Sequence, residues 1–491
     1  MLNTDIRLDE PSAASATRKR LGQYMTPTDV AFFLVDLMPE QDDTDITLLD
    51  PGAGQGALTT AFIKKWTSQR PRRHLAVDAV EIDKRQHGML VKNLSSLPQD
   101  QLLTLGTRRE DFILSALKSD KKYSHIILNP PYARIDSKSP QAKLLRQQGL
   151  PSTNLYSAFL SISIKSLAAN GSLVALVPRS FCNGKYYKPL RDLILHETSI
   201  HHIHLFESRT DTFKSDGVIQ ENIAIVLRKR TQAQNVSLST SKAKNLSLSS
   251  LTVRPFQEIV RKGDDMRVIR LPLHQDCETS RLEPLIVKHR LSDLGLSAST
   301  GPIVDFRNRR QLRLTPTQAS VPLIHSYHIQ SHNLCWPLIT NGKKNALVLT
   351  NKNAKNVLKP GYYIAIRRFS SKEQYHRIVA NPVEAIGPPF LNGVSFENHV
   401  NYITTALTEM DRELCWGLTA YLNTDHADRA FRDISGSTQV NVSDLKILDF
   451  PPLEDLRRFG IELLKLGSVS PVNSELAVKN VLSTIHGHPI N

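Results

Sequence analysis

Eight residues constrain this chain more than any others: His125-Ile126-Ile127-Leu128-Asn129-Pro130-Pro131-Tyr132. The first four read as a buried strand. An amide, two prolines and an aromatic ring follow. Proline fixes its own φ and drives the residue before it out of the helical region. Asn129 is therefore restricted by Pro130, and Pro130 by Pro131. The result is a stiff, extended loop at the carboxyl end of a strand, which is where open α/β sheets bind ligands. The competing reading is a proline-rich turn with no chemistry, and the surroundings of the motif must separate the two.

The loop suits methylation of a planar amine. An exocyclic NH2 on a base has its lone pair delocalised into the ring and is a poor nucleophile. The side-chain carbonyl of Asn129 and the main-chain carbonyl of Pro130 can each accept one of its hydrogens. That draws the nitrogen toward tetrahedral geometry and frees the lone pair. Tyr132 can stack on the flat ring. No strong base is needed, because the methyl donor supplies the driving force and the protein supplies position and dipoles.

The preceding sequence supplies a matching ligand edge. Residues 1–20 read as a flexible arm ending in Arg18-Lys19-Arg20. Leu21-Gly22-Gln23-Tyr24-Met25-Thr26-Pro27 leads into a helical pattern through Val30, Phe33, Leu34 and Leu37, with Thr26 or Thr28 able to cap it and Pro27 suited to its first turn. Thr47 to Gly56, TLLDPGAGQG, reads as strand and glycine loop opening a helix at Ala57. Glycines let backbone approach a ligand at a helix N-terminus. The spacing is neither that of a dinucleotide fingerprint nor that of a phosphate-cradling P-loop. An acidic residue at the strand end, Asp50, suits a cationic, amine-bearing ligand. The next strand ends at Glu81 and Asp83, where a carboxylate is the expected partner of ribose hydroxyls. Asp111 gives a third acidic tip. Asp50, Glu81, Asp111 and Asn129, in that order, form a coherent nucleoside-binding edge. Ala133–Ser152 reads as a charged loop, long enough to be a mobile, substrate-contacting segment. Two further strands are expected at Ile200–Phe206 and Ile223–Leu227. The histidines on the first, His201, His202 and His204, read as plain surface residues rather than metal ligands, and no metal is expected.

Charge points to the partner. The formal net charge is +15, which suggests a polyanion. Residues 341–380 hold nine Lys and Arg against Glu373 alone, among them Lys343, Lys344, Arg367, Arg368, Lys372 and Arg377. Arg307, Arg309, Arg310 and Arg313 form a second cluster, and Phe306, Tyr327, Trp336, Tyr362, Tyr363 and Phe369 interleave with the two. A solvated basic face is the plain alternative. Beside a catalytic domain for planar amines, phosphate neutralisation is the stronger reading. The four cysteines are scattered without a CxxC pair, which fits a reducing compartment. No apolar run approaches a membrane span and no signal core opens the chain, so a cytoplasmic location is expected.

The motifs LGQYMTP, LLDPGAGQGALT, AVEID, REDF and ILNPPY, in that order before a basic second half, resemble the γ class of adenine-N6 DNA methyltransferases, enzymes of type II restriction–modification systems. STGPIVDFR, VPLIHSYHIQ, IAIRRFSSKEQYHRIVA and ISGSTQVNVSDLKILDFP extend the resemblance, nearest to the PstI/BsuBI group, over nearly the whole chain. It implies an α/β, Rossmann-like S-adenosylmethionine-dependent domain whose seven-strand sheet has its last strand antiparallel, then a mixed α+β target recognition domain. By motif, Tyr24, Thr26 and Pro27 would flank the methionine end of S-adenosylmethionine. Asp50, Pro51, Ala53, Gly54 and Gly56 would border its amino acid and sulfonium. Glu81 would bind the ribose, Ile82 would pack on the adenine, and Asp111 would accept from its amine beside Phe112. Asn129, Pro130, Pro131 and Tyr132 would hold the target adenine, with Phe213 the best match to a second stacking ring. Arg307, Arg309, Arg310, Lys343, Lys344, Arg367, Arg368 and Lys372 would contact DNA.

The expected organisation is a flexible arm (1–20), a catalytic domain (21–232), a Ser- and Asn-rich linker or insert (233–285), a recognition domain (286–452) and a helical tail (453–491). Expected partners are double-stranded DNA and a cognate restriction endonuclease held in no stable complex, with the protein itself a monomer. Two rival readings remain open. One is a methyltransferase of another planar amine, on ribosomal RNA or protein glutamine. The other is a non-catalytic DNA-binding protein with a relic methyltransferase fold.

Overall fold

The computed structural model describes residues 25–39, 45–69, 73–98, 101–206, 221–242, 245–273, 289–339, 342–371, 373–405 and 410–486. Tyr24, Phe213, Lys372 and the arm 1–20 fall outside them. The chain forms two compact units, Met1–Leu273 and His274–Asn491.

In the first unit, hydrophobic strands alternate with helices. The elements are α1 (Thr28–Asp36), β1 (Ile46–Pro51), α2 (Ala57–Gln69), β2 (Leu75–Val80), α3 (Lys84–Ser95), β3 (Leu103–Arg108), α4 (Phe112–Ala116), β4 (Tyr123–Leu128), α5 (Pro140–Gln147), α6 (Leu155–Ser166), β5 (Leu167–Pro178), α7 (Lys188–Glu197), β6 (Ser199–Phe206), β7 (Asn222–Arg228), β8 (Asn235–Lys242) and β9 (Asn245–Pro255). The strand order is β3-β2-β1-β4-β5-β7-β6-β8-β9. Neighbours from β3 to β5 run parallel. β7 lies antiparallel to both β5 and β6. A parallel sheet needs cover on both faces, and the side-chain alternation of the central strands supplies it. Ile126, Leu128, Leu173, Ala175 and Val177 pack on one side with Phe159 and Leu160 of α6. Ile127, Val174 and Leu176 pack on the other with Leu34 of α1 and Phe62 of α2.

Among the described residues the sheet carries nine strands, not seven. β8 pairs parallel with β6, and β9 pairs antiparallel with β8. Residues 235–255, read from composition as linker, are thus part of the first sheet. Val236 and Leu238 are fully buried in its core. Two of the serines that give the segment its linker-like composition, Ser239 and Ser241, are partners for histidine. His204 is buried and bonds Ser239 (2.7 Å) and Ser241 (2.9 Å), and His202 bonds Ser239 (2.7 Å). These two rings are therefore packed side chains rather than surface ones, and burial holds both well below the usual histidine range. Arg191 of α7, fully buried, fastens the segment after β9 to the rest of the unit. Its guanidinium donates to Met266 O (2.8 and 3.0 Å), Phe181 O (2.7 Å) and Gly184 O (2.8 Å).

Among its described residues the second unit holds two four-stranded sheets. β10 (Leu296–Thr300), β17 (Val400–Thr405), β14 (Gly361–Arg367) and β15 (Ala380–Ala385) form the first in that order. β11 (Leu312–Arg313), β13 (Ala346–Val348), β12 (Ser320–Ile324) and β16 (Ser395–Phe396) form the second. Helices α8 (Arg412–Leu422), α9 (Asp425–Ile434), α10 (Val442–Lys446), α11 (Leu453–Leu466) and α12 (Pro471–His486) complete it. α8 and α11 meet at Gly417 and Gly460, where each glycine faces backbone of the other helix. Among the described residues no helix is long and apolar enough to cross a membrane.

Candidate active site

The carboxyl ends of β1, β2 and β4 open onto one cavity of about 300 Å³. Of the residues expected at a ligand site, Gly54, Glu81, Ile82, Asp111, Phe112, Asn129 and Pro131 line it. Four separate sequence motifs therefore converge on one volume.

The glycine loop forms because three residues take positive φ: Gly52 (77°), Gly54 (56°) and Gly56 (86°). At Gly56 a Cβ would come within 2.6 Å of Leu90 Cδ1, so this glycine lets α3 pack under the loop. At Gly54 a Cβ would meet nothing within 4 Å, and its backbone faces open cavity. The loop is pinned by Glu81, whose carboxylate accepts from Gly54 N (2.9 Å) and Asp83 N (2.8 Å). Burial raises the Glu81 pKa, and those backbone donors work against the rise. Beside it Ile82 is 54% exposed, an apolar side chain standing at the cavity wall.

Asp50 does not line this cavity. It is fully buried behind the loop, its Oδ2 accepting from Thr59 Oγ1 at 2.6 Å, and it ties β1 to α2. Its Oδ1 has no hydrogen-bond partner among the described residues. Burial pushes its pKa from the usual carboxylate range up to about 7, with Glu81 adding to the rise and Thr59 opposing it. A raised carboxyl pKa means that the folded protein holds a proton the unfolded chain has lost. The contribution of this group to stability is therefore greatest below about pH 4 and falls as pH rises to about 7. Asp50→Asn keeps an acceptor for Thr59 and removes the charge. Its melting temperature is expected to exceed that of the wild type at pH 8, with the gap closing toward pH 5. A gap independent of pH would show that Asp50 titrates normally.

Asp111 caps α4, its Oδ1 accepting from Leu114 N at 3.1 Å. Its Oδ2 accepts from Gln141 Nε2 at 2.8 Å. Phe112 is buried against Phe159, with ring centroids 5.0 Å apart. The segment after Tyr132 is strapped down rather than free. Leu155 N donates to Ala133 O (2.8 Å) and Ile135 N to Thr153 O (3.1 Å), after which Ser139 caps α5. Arg134, Ile135, Ser139 and Gln141 all line the cavity. They fall in the loop read as substrate-contacting, but no motif singled them out, because the strap and the start of α5 place them and local spacing does not.

Asn129 is half-buried. Its Nδ2 donates to Thr26 Oγ1 at 3.0 Å and its Oδ1 accepts from Tyr132 OH at 3.3 Å. Thr26 thus does not cap α1, whose N-cap is Pro27 with no side-chain bond. It orients the Asn129 amide instead, keeping the oxygen away from Thr26. The Tyr132 ring meets Tyr156 edge-on at 6.1 Å. Pro51, Ala53 and Pro130 hold backbone positions beside these groups without lining the cavity.

The expected DNA contacts divide. Arg307, Arg309, Arg310 and Lys343 are exposed and Lys344 is half-exposed, with Arg307 lying over Phe306 (5.4 Å) and Lys343 over Tyr327 (4.7 Å). Arg367 and Arg368 are half-buried, donating to Ile329 O (2.7 Å) and Asn398 O (2.9 Å). Arg377 is 1% exposed and bonds Ser370 Oγ at 3.0 Å, so it belongs to the core and not to a basic surface. Among the described residues Asp305, His325 and Glu397 have a cation-site composition. Both Glu397 oxygens already accept from His399, however, through Nδ1 (2.7 Å) and the backbone N–H (2.9 Å).

Residues 56–213 match the family model described as Eco57I restriction-modification methylase. The chain is 36% identical over 461 residues to the type II methyltransferase M.BsuBI of Bacillus subtilis, covering 90% of each chain. It is 35% identical over 463 residues to the type II methyltransferase M.PstI of Providencia stuartii, covering 89% of this chain and 88% of that one. In fold it is similar to the type IIL restriction-modification enzyme MmeI, solved in complex with DNA, at a TM-score of 0.54 and 11% identity over 90% of this chain and 70% of that one.

Proposed function

The chain belongs to the type II methyltransferases of restriction–modification systems, and on that premise we propose that it methylates N6 of an adenine flipped out of a specific duplex sequence, with S-adenosylmethionine as donor. The observation that carries this reading is the convergence of the glycine loop, Glu81, Asp111 and Asn129 on one cavity.

The residues fit the donor. Gly54 offers backbone with no Cβ in the way, Glu81 offers acceptors for ribose hydroxyls, Ile82 offers an exposed apolar face for a purine, and Asp111 offers an acceptor for its amine. When bound, S-adenosylmethionine supplies an electrophilic methyl carbon on a sulfonium. The chain's own work is on the target. Asn129 Oδ1 and Pro130 O accept the two hydrogens of the amine, and Tyr132 stacks on the base. Thr26 keeps the Asn129 amide from flipping. Extruding a base costs a few kcal/mol, and stacking returns about 1–3 kcal/mol. The product protects host DNA in the cytoplasm from a cognate endonuclease, and the enzyme works as a monomer that visits each strand of a palindrome in turn. By its resemblance to the PstI/BsuBI group, the site is CTGCAG.

Incubation with duplex DNA, digestion to nucleosides and mass spectrometry test this. N6-methyladenine should be the product, and base-modification sequencing should place it in one short sequence. N4-methylcytosine, or adenines modified without a common flank, would overturn the proposal.

In the second unit, Arg309 and Arg310 are exposed and available to phosphate. Replacing both with Ala should flatten the plot of log K against log salt by roughly 0.9 per lost contact. An unchanged slope would remove them from the interface. Arg367→Ala should instead lower stability first, since its guanidinium holds the Ile329 carbonyl.

A further inference from the structure

We infer that Gln141 is a specificity-determining residue of the cofactor site, reading the exocyclic amine of the bound purine jointly with Asp111. The inference rests on the proposed use of S-adenosylmethionine and assigns a role to a residue outside the motifs that carry the resemblance.

Asp111 is already spent in part. Its Oδ1 caps α4, and its Oδ2, the oxygen left to meet a ligand, holds Gln141 Nε2 at 2.8 Å. Both side chains line the cavity. Because Nε2 points at the carboxylate, the same amide carries its Oε1 beside Asp111 as a second acceptor. Among the described residues that oxygen accepts nothing. Gln141 is not free to wander. It is the second residue of α5, which is capped by Ser139 and preceded by the backbone strap between 133–135 and 153–155.

A carboxylate oxygen has more than one lone pair, so Asp111 Oδ2 can accept a second donor while keeping Gln141. A six-amino group has two hydrogens, one for Asp111 Oδ2 and one for Gln141 Oε1. A six-oxo group in the same place would face two acceptors. One Nε2 hydrogen is given to Asp111, and to present a donor where Oε1 stands the amide would have to turn over and aim its oxygen at the carboxylate. The pair therefore favours adenine over hypoxanthine by attraction and by repulsion together. Asp111 alone could offer the purine only one acceptor.

The test measures binding of S-adenosylhomocysteine and its inosine counterpart, S-inosylhomocysteine, to the full chain by calorimetry. The wild type should prefer the adenosine ligand by at least about 100-fold, two hydrogen-bond equivalents. Gln141→Met keeps the length of the side chain and removes both its polar atoms. It should lower the ratio about tenfold, chiefly by weakening the adenosine ligand. A role confined to holding α5 would weaken both ligands equally and leave the ratio alone, which would overturn the inference. Equal wild-type affinity for the two ligands would overturn it as well. Binding of neither by the wild type would instead overturn the cofactor reading, and this inference with it.

Discussion

Asn129→Ala is expected to reduce methyl transfer by at least about 100- to 1,000-fold, the usual cost of removing one preorganised polar group aimed at a reacting centre. Cofactor affinity and melting temperature should change little. The contacts of the amide to Thr26 and to Tyr132 are both replaceable by water at a half-buried position. Without Oδ1, one hydrogen of the target amine loses its acceptor and the lone pair stays in the ring. Single-turnover rates on duplex DNA with saturating cofactor give the answer, and a variant within a few-fold of the wild type would refute the two-acceptor mechanism. Tyr132→Phe should keep most activity. The hydroxyl contacts Asn129 Oδ1 at 3.3 Å and Leu176 O at 3.5 Å, both long, whereas the ring does the stacking. Tyr132→Ala should fall much further. Equal losses in the two would shift the role to the hydroxyl.

Gly417→Ala should be strongly destabilising for the second unit. In an ordinary helix interior Ala is favoured over Gly by about 1 kcal/mol. Here the sign reverses. A Cβ on Gly417 would run into the carbonyl oxygen of Leu456, and one on Gly460 into that of Glu413. Both obstacles are backbone, so neither can turn away. Moving the helices apart would also disturb α8 where Cys415 Sγ meets Tyr363 O of β14 at 3.2 Å. A loss of about 1–3 kcal/mol or more is expected. Thermal unfolding should show it, together with weakened DNA affinity and unchanged cofactor binding. A variant as stable as the wild type would mean that the helices do not cross this closely.

The parts legible in the sequence were those dictated by local chemistry. Glycines at positive φ and two consecutive prolines follow from covalent geometry and mark Gly54 and Asn129, whereas the acidic strand tips Glu81 and Asp111 follow from what a ligand edge must offer. Composition misled where a residue's partner lies far along the chain. The serines of β8 look like linker until the histidines of β6 are placed beside them. Arg377 looks like surface charge until Ser370 and the Phe431 ring enclose it. Asp50 looks like a ligand-facing carboxylate, yet Thr59 of the next helix turns it inward. Gln141 was singled out by no motif, since its role depends on α5 returning to the cavity.

The nine-strand sheet changes where this protein can be divided. A catalytic fragment ending near residue 232 would strip β8 and β9 from β6, leaving a long row of unpaired N–H and C=O groups as a template for aggregation. It would also leave His202 and His204 without their serines and Arg191 without the Met266 carbonyl. Ile259, Ile269 and Leu271 would be lost from the core as well. A fragment ending near 273 keeps all of these. Chimaeras that graft a different recognition half onto this catalytic half should therefore be joined after Leu273, and joints placed in the serine-rich stretch should yield insoluble protein.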